Sequence, residues 1–191
     1  PGLIHAWQAG NVTLANAPGA GVADDKAIYP WVPDLVKYYL DEEILLPQIK
    51  TYVGRRPDEA KYIREHLSEL VVKLAGGAGG YGMLVGPTAS TSEIEEFSKA
   101  FDDSPEAYIA QPLVEFSSHP TYFDGKFQPR RVDLRPFALC GDGIRVLPGG
   151  LTRVALEEGS YVVNSSQGGG SKDTWVLAEQ READVVEGSA S

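Results

Sequence analysis

The stretch LVVKLAGGAGGYGMLV, residues 70–85, limits this chain more than any other segment. Leu70–Leu74 is a β-branched apolar run of buried-strand type, and Met83-Leu84-Val85 is a short apolar return. Between Gly76 and Gly82 only Ala78 and Tyr81 are not glycine, so no helix is expected to form there. The pattern predicts a strand, a glycine loop and a second strand. Backbone N–H groups in such a loop can approach phosphate oxygens without Cβ obstruction, and Lys73 on the incoming strand would add a point charge. The same composition also suits a flexible surface turn beside a solvated lysine. The chain holds 21 glycines in 191 residues, where average usage would give about 13.

Gly77, Gly79 and Gly82 satisfy G-x-G-x-x-G, the spacing of a dinucleotide-binding turn. That turn must open a helix whose N-terminus meets the pyrophosphate. Here Met83–Val85 is extended and Gly86-Pro87 interrupts whatever follows, so a glycine hairpin folded over phosphates fits better. The run GGGSK at 168–172 lacks the spacing and the Lys-Ser/Thr ending of a Walker A loop.

Around this loop the chain divides by texture. Residues 2–30 are rich in Gly, Ala and Asn. Apolar spacing predicts a helix over 33–46, with Pro33 in its first turn. Ile49–Val53 reads as a short strand, and Pro57-Asp58-Glu59 opens a second helix. Thr91-Ser92-Glu93 with Glu95 resembles a capping signature for a helix reaching about Phe101. Beyond Asp103, strands are expected over 107–114, 129–139, 144–147, 151–156, 161–164 and 174–177. Helices that give way to consecutive strands indicate an α+β fold with mainly antiparallel sheet. The expected divisions are 1–48, 49–114 and 115–177, with an acidic, flexible tail over 178–191.

Composition excludes several classes. Seventeen basic against 27 acidic residues leave a net charge of -10, which argues against nucleic acid or an anionic membrane as partner. The lone Cys140 excludes an internal disulfide framework and points to a reducing, cytoplasmic compartment. No G-x-S-x-G elbow is present, and the three histidines are too scattered to form a metal cluster by spacing.

Three further segments carry ligand chemistry. In PRRVDLRPF (129–137), strand alternation puts Arg131, Asp133 and Arg135 on one face, where they can clamp an anion or form an exposed ion-paired surface. VVNSSQGGGSKDTW (162–175) offers small donors, bare amides and Lys172, with Arg153 on the preceding strand. GNVTLANAPGAGVADDK (10–26) contains Asn11, Asn16, Asp24 and Asp25, oxygen donors suited to Mg²⁺, with Lys26 as a further charge. Asn and Asp also mark turns and caps.

Taken together, the blocks GNVTLANAPGAGVADDKAIYP, VVKLAGGAGGYGM, QPLVEFSSHPTYFDGKFQPRRVDLRPFA, GIRVLPGGLTRVA and VVNSSQGGGSKDTWVL resemble the circularly permuted type 2 family of ATP-grasp proteins, related to glutathionylspermidine synthetase. The resemblance implies an ATP-grasp fold and an ATP-dependent ligase, which joins a carboxylate to an amine or thiol through an acyl phosphate. It implies ATP and Mg²⁺ as cofactors, and small-molecule or peptide carboxylates and amines as partners. Lys73 with the amides of Gly76, Gly77, Gly79, Gly80 and Gly82 would hold the phosphates. Gln111, Pro112 and Leu113 would line the adenine. Arg135 and Arg153 would bind the transferring phosphate or the acceptor carboxylate, with Asp133 orienting them. Asn164 and Lys172 would complete the phosphate side, and Asn16 with Asp25 would hold Mg²⁺. The chain departs from the family where Leu74, not proline, follows the lysine. Members of the family are longer, so the resemblance implies a piece of a larger ligase. A non-catalytic nucleotide- or peptide-binding module of the same fold is the alternative.

Overall fold

The computed structural model describes residues 2–16, 18–163 and 169–177. The chain forms two compact units, residues 1–114 and 115–191.

Among its described residues the first unit holds four α-helices, α1 (Leu3–Gln8), α2 (Val32–Leu40), α3 (Pro57–Glu65) and α4 (Thr91–Asp103). Short 3-10 helices at Ala20–Ala23 and Lys26–Trp31 precede α2. Its sheet contains β1 (Tyr52–Val53), β2 (Leu70–Leu74), β3 (Leu84–Val85) and β4 (Tyr108–Pro112), in the order β1-β4-β2-β3 with every pair antiparallel.

Strand alternation gives this sheet two different faces. Leu70 and Val72 of β2 and Ala110 of β4 join Ile63, Leu67, Leu84 and Phe101 in one buried cluster with α3 and α4. Ile109 lies on the opposite face and packs with Val53, Ala75 and the flanking Ala27. Register pairs Lys73 with Ile109, so Lys73 shares that second face. One side of the sheet therefore carries the core, and the other faces the segment around Lys26.

Local signals explain the helix boundaries. Pro57 starts α3 with Asp58 and Glu59 in its first turn, where acidic groups favour the helix dipole. The cap of α4 is Ser90, not the Thr91-Ser92 pair. Its hydroxyl accepts from Glu93 N at 3.3 Å and its own N–H donates to Glu93 Oε2 at 2.7 Å, a reciprocal box that needs the Ser-x-x-Glu spacing. Helix α2 stops at Leu40, short of the expected 46. Asp41 takes a left-handed conformation (φ 54°), and Leu45 and Leu46 lie exposed beyond it.

The second unit is an antiparallel meander of β5 (Ser118–Phe123), β6 (Lys126–Cys140), β7 (Ile144–Val154) and β8 (Gly170–Trp175). Here β7 is one strand where two were expected over 144–147 and 151–156. Gly149 and Gly150 carry it past its neighbours, because a Cβ on Gly150 would lie 2.9 Å from Arg135 O. The partner strand takes up the mismatch as an irregularity between Pro136 and Ala138. Residues 161–163 form no strand; Val163 is buried and Tyr161 lies under Arg131. The architecture is thus mixed helix and sheet, with both sheets antiparallel.

Candidate functional site

In the first unit, the sheet face that carries Lys73 and Ile109 and residues 23–32 line a cavity of about 520 Å³. Lys73, Gln111, Asp24, Asp25, Lys26 and Tyr29 contribute to its wall, above the apolar floor of Ile28, Val32 and Ile109. Lys73 Nζ donates to Gln111 Oε1 at 3.0 Å, a diagonal cross-strand contact set by the β2–β4 register. Burial, and secondly the nearby Lys26 ammonium, hold the Lys73 amine below the usual lysine range. Two cations, Lys73 and Lys26, and two carboxylates, Asp24 and Asp25, thus stand beside one cavity.

The glycine loop closes β2 onto β3. Gly79, Gly80 and Gly82 have φ of 73°, 79° and 65°, the left-handed region that side chains resist. Gly77 is packed over Leu74, whose Cβ would be 2.9 Å from an added methyl, while an added Cβ on Gly76 would meet nothing within 4 Å. Lys26 fastens the loop. Its N–H donates to Ala75 O at 3.0 Å, and its Nζ donates to Ala75 O at 3.3 Å and to Gly77 O. Lys26 appeared in the sequence only as a further charge beside Asp25. The signal that could have raised it is its place at the start of a helical turn that Asp25 caps.

The oxygen ligands read from residues 11–25 are only partly assembled. Asp25 Oδ1 accepts from Ala27 N at 2.9 Å and so caps the turn, and Asp24 and Asp25 both line the cavity. Asn16 is exposed on the preceding segment. Among the described residues no group of three or more His, Cys, Asp or Glu side chains could hold a metal ion. The donor set therefore fits Mg²⁺ only as a partner of nucleotide phosphates and water, the usual habit of this cation. Gln111 lines the cavity. Pro112, at the end of β4, and the half-buried Leu113 do not.

The second unit gathers its own charged group. Asp133 pairs in register with Arg153 and accepts from Arg153 N at 3.3 Å, while Arg135 Nη2 reaches its other oxygen at 3.4 Å. These three residues share one face of the sheet. Arg131 shares that face but is engaged locally: it donates to Gly159 O at 2.6 Å, lies 3.6 Å from Glu115 and covers the Tyr161 ring at 3.7 Å. Lys172 pairs in register with Thr152 and so stands on the opposite face, where it donates to Pro120 O at 2.6 Å and His119 Nδ1 at 2.9 Å. The structure does not bring Lys172 together with Arg135 and Arg153. Asn164 lies outside the described residues.

Comparison with known proteins adds to this geometry. The family model for circularly permuted ATP-grasp type 2 proteins matches residues 1–155. An uncharacterized protein of Synechocystis sp. is 56% identical over 178 residues, which are 93% of this chain and 37% of that protein. An uncharacterized protein of Mycobacterium tuberculosis is 52% identical over 183 residues, 95% of this chain and 33% of that protein. A Frankia alni protein named "Putative glutamate--cysteine ligase 2-3" is 44% identical over 176 residues, 92% of this chain and 20% of that protein. The chain thus spans about a third of the length of the first two relatives. No described helix is long and apolar enough to cross a membrane.

Proposed function

Because the chain belongs to the circularly permuted ATP-grasp type 2 family, we propose that it forms the nucleotide-handling part of an ATP-dependent ligase that joins a small carboxylate to an amine or thiol. The observation that carries this reading is the placement of Lys73 and Lys26 on one cavity, at the root of a loop whose glycines take positive φ. A polyphosphate carried with Mg²⁺ is the ligand inferred for this site: Lys73 and Lys26 meet its charge beside the carboxylates of Asp24 and Asp25, and the glycine loop continues the strand that carries Lys73.

In this reading Lys73 and the amides of Gly76, Gly79, Gly80 and Gly82 hold the phosphates, the Gly77 N–H being given to Leu74 O at 3.2 Å. Gln111 borders the adenine, with Pro112 and Leu113 following it outside the cavity. Mg²⁺, held by the phosphates with Asp25 and Asn16, would supply charge neutralisation. Arg135 and Arg153, oriented by Asp133, are the second unit's candidates for binding a phosphate or carboxylate; Lys172 stands on the opposite face of that sheet. A carboxylate oxygen attacks the γ-phosphorus and ADP departs. The amine or thiol then attacks the acyl carbon, and inorganic phosphate leaves with the proton passing to solvent. Fixed cations and amides are the main catalytic need of such a sequence, with no protein nucleophile. The name of the Frankia relative favours glutamate as carboxylate and cysteine as the amine.

The test is thermal stabilisation by millimolar Mg-ATP, followed by ADP release with glutamate and cysteine and hydroxylamine trapping of the acyl phosphate. A rise in melting temperature and a glutamate-dependent hydroxamate are expected. Absence of any ATP-induced shift would overturn the nucleotide assignment.

A further inference from the structure

Thr51 lies just before β1, across from Gln111 on the β1–β4 register, and does not line the cavity. We propose that Thr51 is a positioning residue that aims the Gln111 carbonyl at Lys73 and thereby fixes the Lys73 ammonium in the cavity. Three hydrogen bonds in one direction carry this. Lys73 Nζ donates to Gln111 Oε1 at 3.0 Å, Gln111 Nε2 donates to Thr51 Oγ1 at 2.8 Å, and Thr51 Oγ1 donates to Ile49 O at 3.0 Å.

The chemistry of each group leaves one arrangement. An ammonium has donors only, so the Gln111 atom facing Lys73 must be the carbonyl oxygen. The amide nitrogen then needs an acceptor. The Thr51 hydroxyl has a single hydrogen, which goes to Ile49 O, so its oxygen accepts from Gln111. A Gln111 amide turned by half a rotation would present N–H groups to an ammonium. The anchor is itself fixed, because Ile49 N donates to the hydroxyl of Tyr29 at 3.2 Å and Tyr29 is part of the cavity wall. The relay therefore leaves the cavity at Lys73 and returns to it at Tyr29. Its need is plain: Lys73 is half-buried with a second ammonium, Lys26, nearby. Without a directed acceptor the amine would swing toward solvent or lose its proton more readily.

The inference depends on the ATP reading only for what Lys73 meets, not for how Lys73 is held. Thr51→Val keeps the shape and removes the hydroxyl, and Thr51→Ser restores it. Lysine acylation by acetic anhydride, followed by peptide mass spectrometry, reads Lys73 directly, with Lys61 and Lys99 as internal references. Thr51→Val is expected to raise Lys73 acylation relative to those references about fivefold, the equivalent of one ordinary hydrogen bond, and Thr51→Ser to return it to the wild-type rate. Gln111→Leu should produce the same rise, which keeps the test open if Thr51→Val does not fold. Unchanged Lys73 acylation in the folded variants, or no restoration by serine, would overturn the relay. Protection of Lys73 by ATP in the wild-type chain is a separate readout. Its absence, beside a positive response to Thr51→Val, would leave the relay standing and remove the nucleotide reading.

Discussion

Replacing Lys73 with Met separates the two consequences of placing an ammonium in this cavity. Met keeps the unbranched stem that lies beside Ile109 and removes the charge. Two terms act on the unliganded fold. The bond from Lys73 Nζ to Gln111 Oε1 is lost, at about 1 kcal/mol, and an accessible Gln111 can take a water instead. Against this, burial and the Lys26 ammonium already disfavour the charged lysine, and that penalty disappears. The melting temperature is therefore expected to stay level or rise. Its pH dependence should also change. A lysine whose folded pKa is lowered binds its proton less tightly in the native than in the unfolded state. Wild-type stability should accordingly climb as pH rises from the lowered value to the ordinary lysine value, and Lys73→Met should lack that climb.

For the nucleotide the sign is opposite. A hydrogen bond between an ammonium and a phosphate contributes roughly 1.5–3 kcal/mol, so ATP affinity should fall roughly 10- to 150-fold. Calorimetric titration of ATP into both chains measures it, and thermal melts from pH 7 to 10 measure the first part. ATP bound by Lys73→Met within about threefold of wild type would refute the placement of Lys73 on the phosphates. A melting temperature that drops by many degrees would refute the claim that its charge is held against a cost.

Other perturbations address the frame. Gly86→Ala would set a Cβ 1.9 Å from Leu67 O and 2.8 Å from Leu70 O, so the backbone must move; a loss of about 3 kcal/mol in urea unfolding is expected. Gly76→Ala, with nothing within 4 Å of the new methyl, should cost under about 0.5 kcal/mol and leave only its effect on ATP binding to be read. Phe101→Ala empties a side chain that is 2% exposed in the α3–α4 core and should cost about 3–5 kcal/mol by the same unfolding assay. Hydrogen bonds from Ser90 hold the Glu93 carboxyl below its usual pKa. Its contribution to α4 is thus present above the ordinary glutamate value and lost as pH falls through the lowered one. Ser90→Ala should flatten the acid limb of a melting-temperature profile.

Much of the first unit was legible because its signals are local. Pro57 with two acidic neighbours, the β-branched run at Leu70–Leu74 and the glycine run after it each act within a few residues. The errors fall where a distant contact or a single backbone angle decides. Periodicity carried α2 to residue 46, but a left-handed Asp41 ends it at Leu40. The glycines at 149 and 150 looked like a break between strands, yet they are where β7 runs close against β6 on one side and β8 on the other.

The candidate site was legible in its parts and not in its wiring. A lysine before a glycine loop suits phosphate chemistry and equally a solvated surface turn, so Lys73 could be named as a candidate, and the structure puts it on the cavity wall. Alternation along 129–137 likewise placed Asp133 and Arg135 on one face. Lys172 shows the limit of such reasoning. Its loop composition promised a cation for the same anion, but whether a strand residue faces one side or the other depends on register with its neighbour, and pairing with Thr152 turns it away from Arg153. Thr51 gave no signal at all, since a threonine before a short strand is ordinary. Its relevance exists only because the pairing of β1 and β2 on either side of β4 brings Thr51 and, on the diagonal, Lys73 within hydrogen-bond reach of Gln111. Charge on a binding residue can be read from composition. The acceptor that keeps that charge aimed is a property of the sheet, and substitutions that spare Lys73 while disturbing these contacts should separate the two.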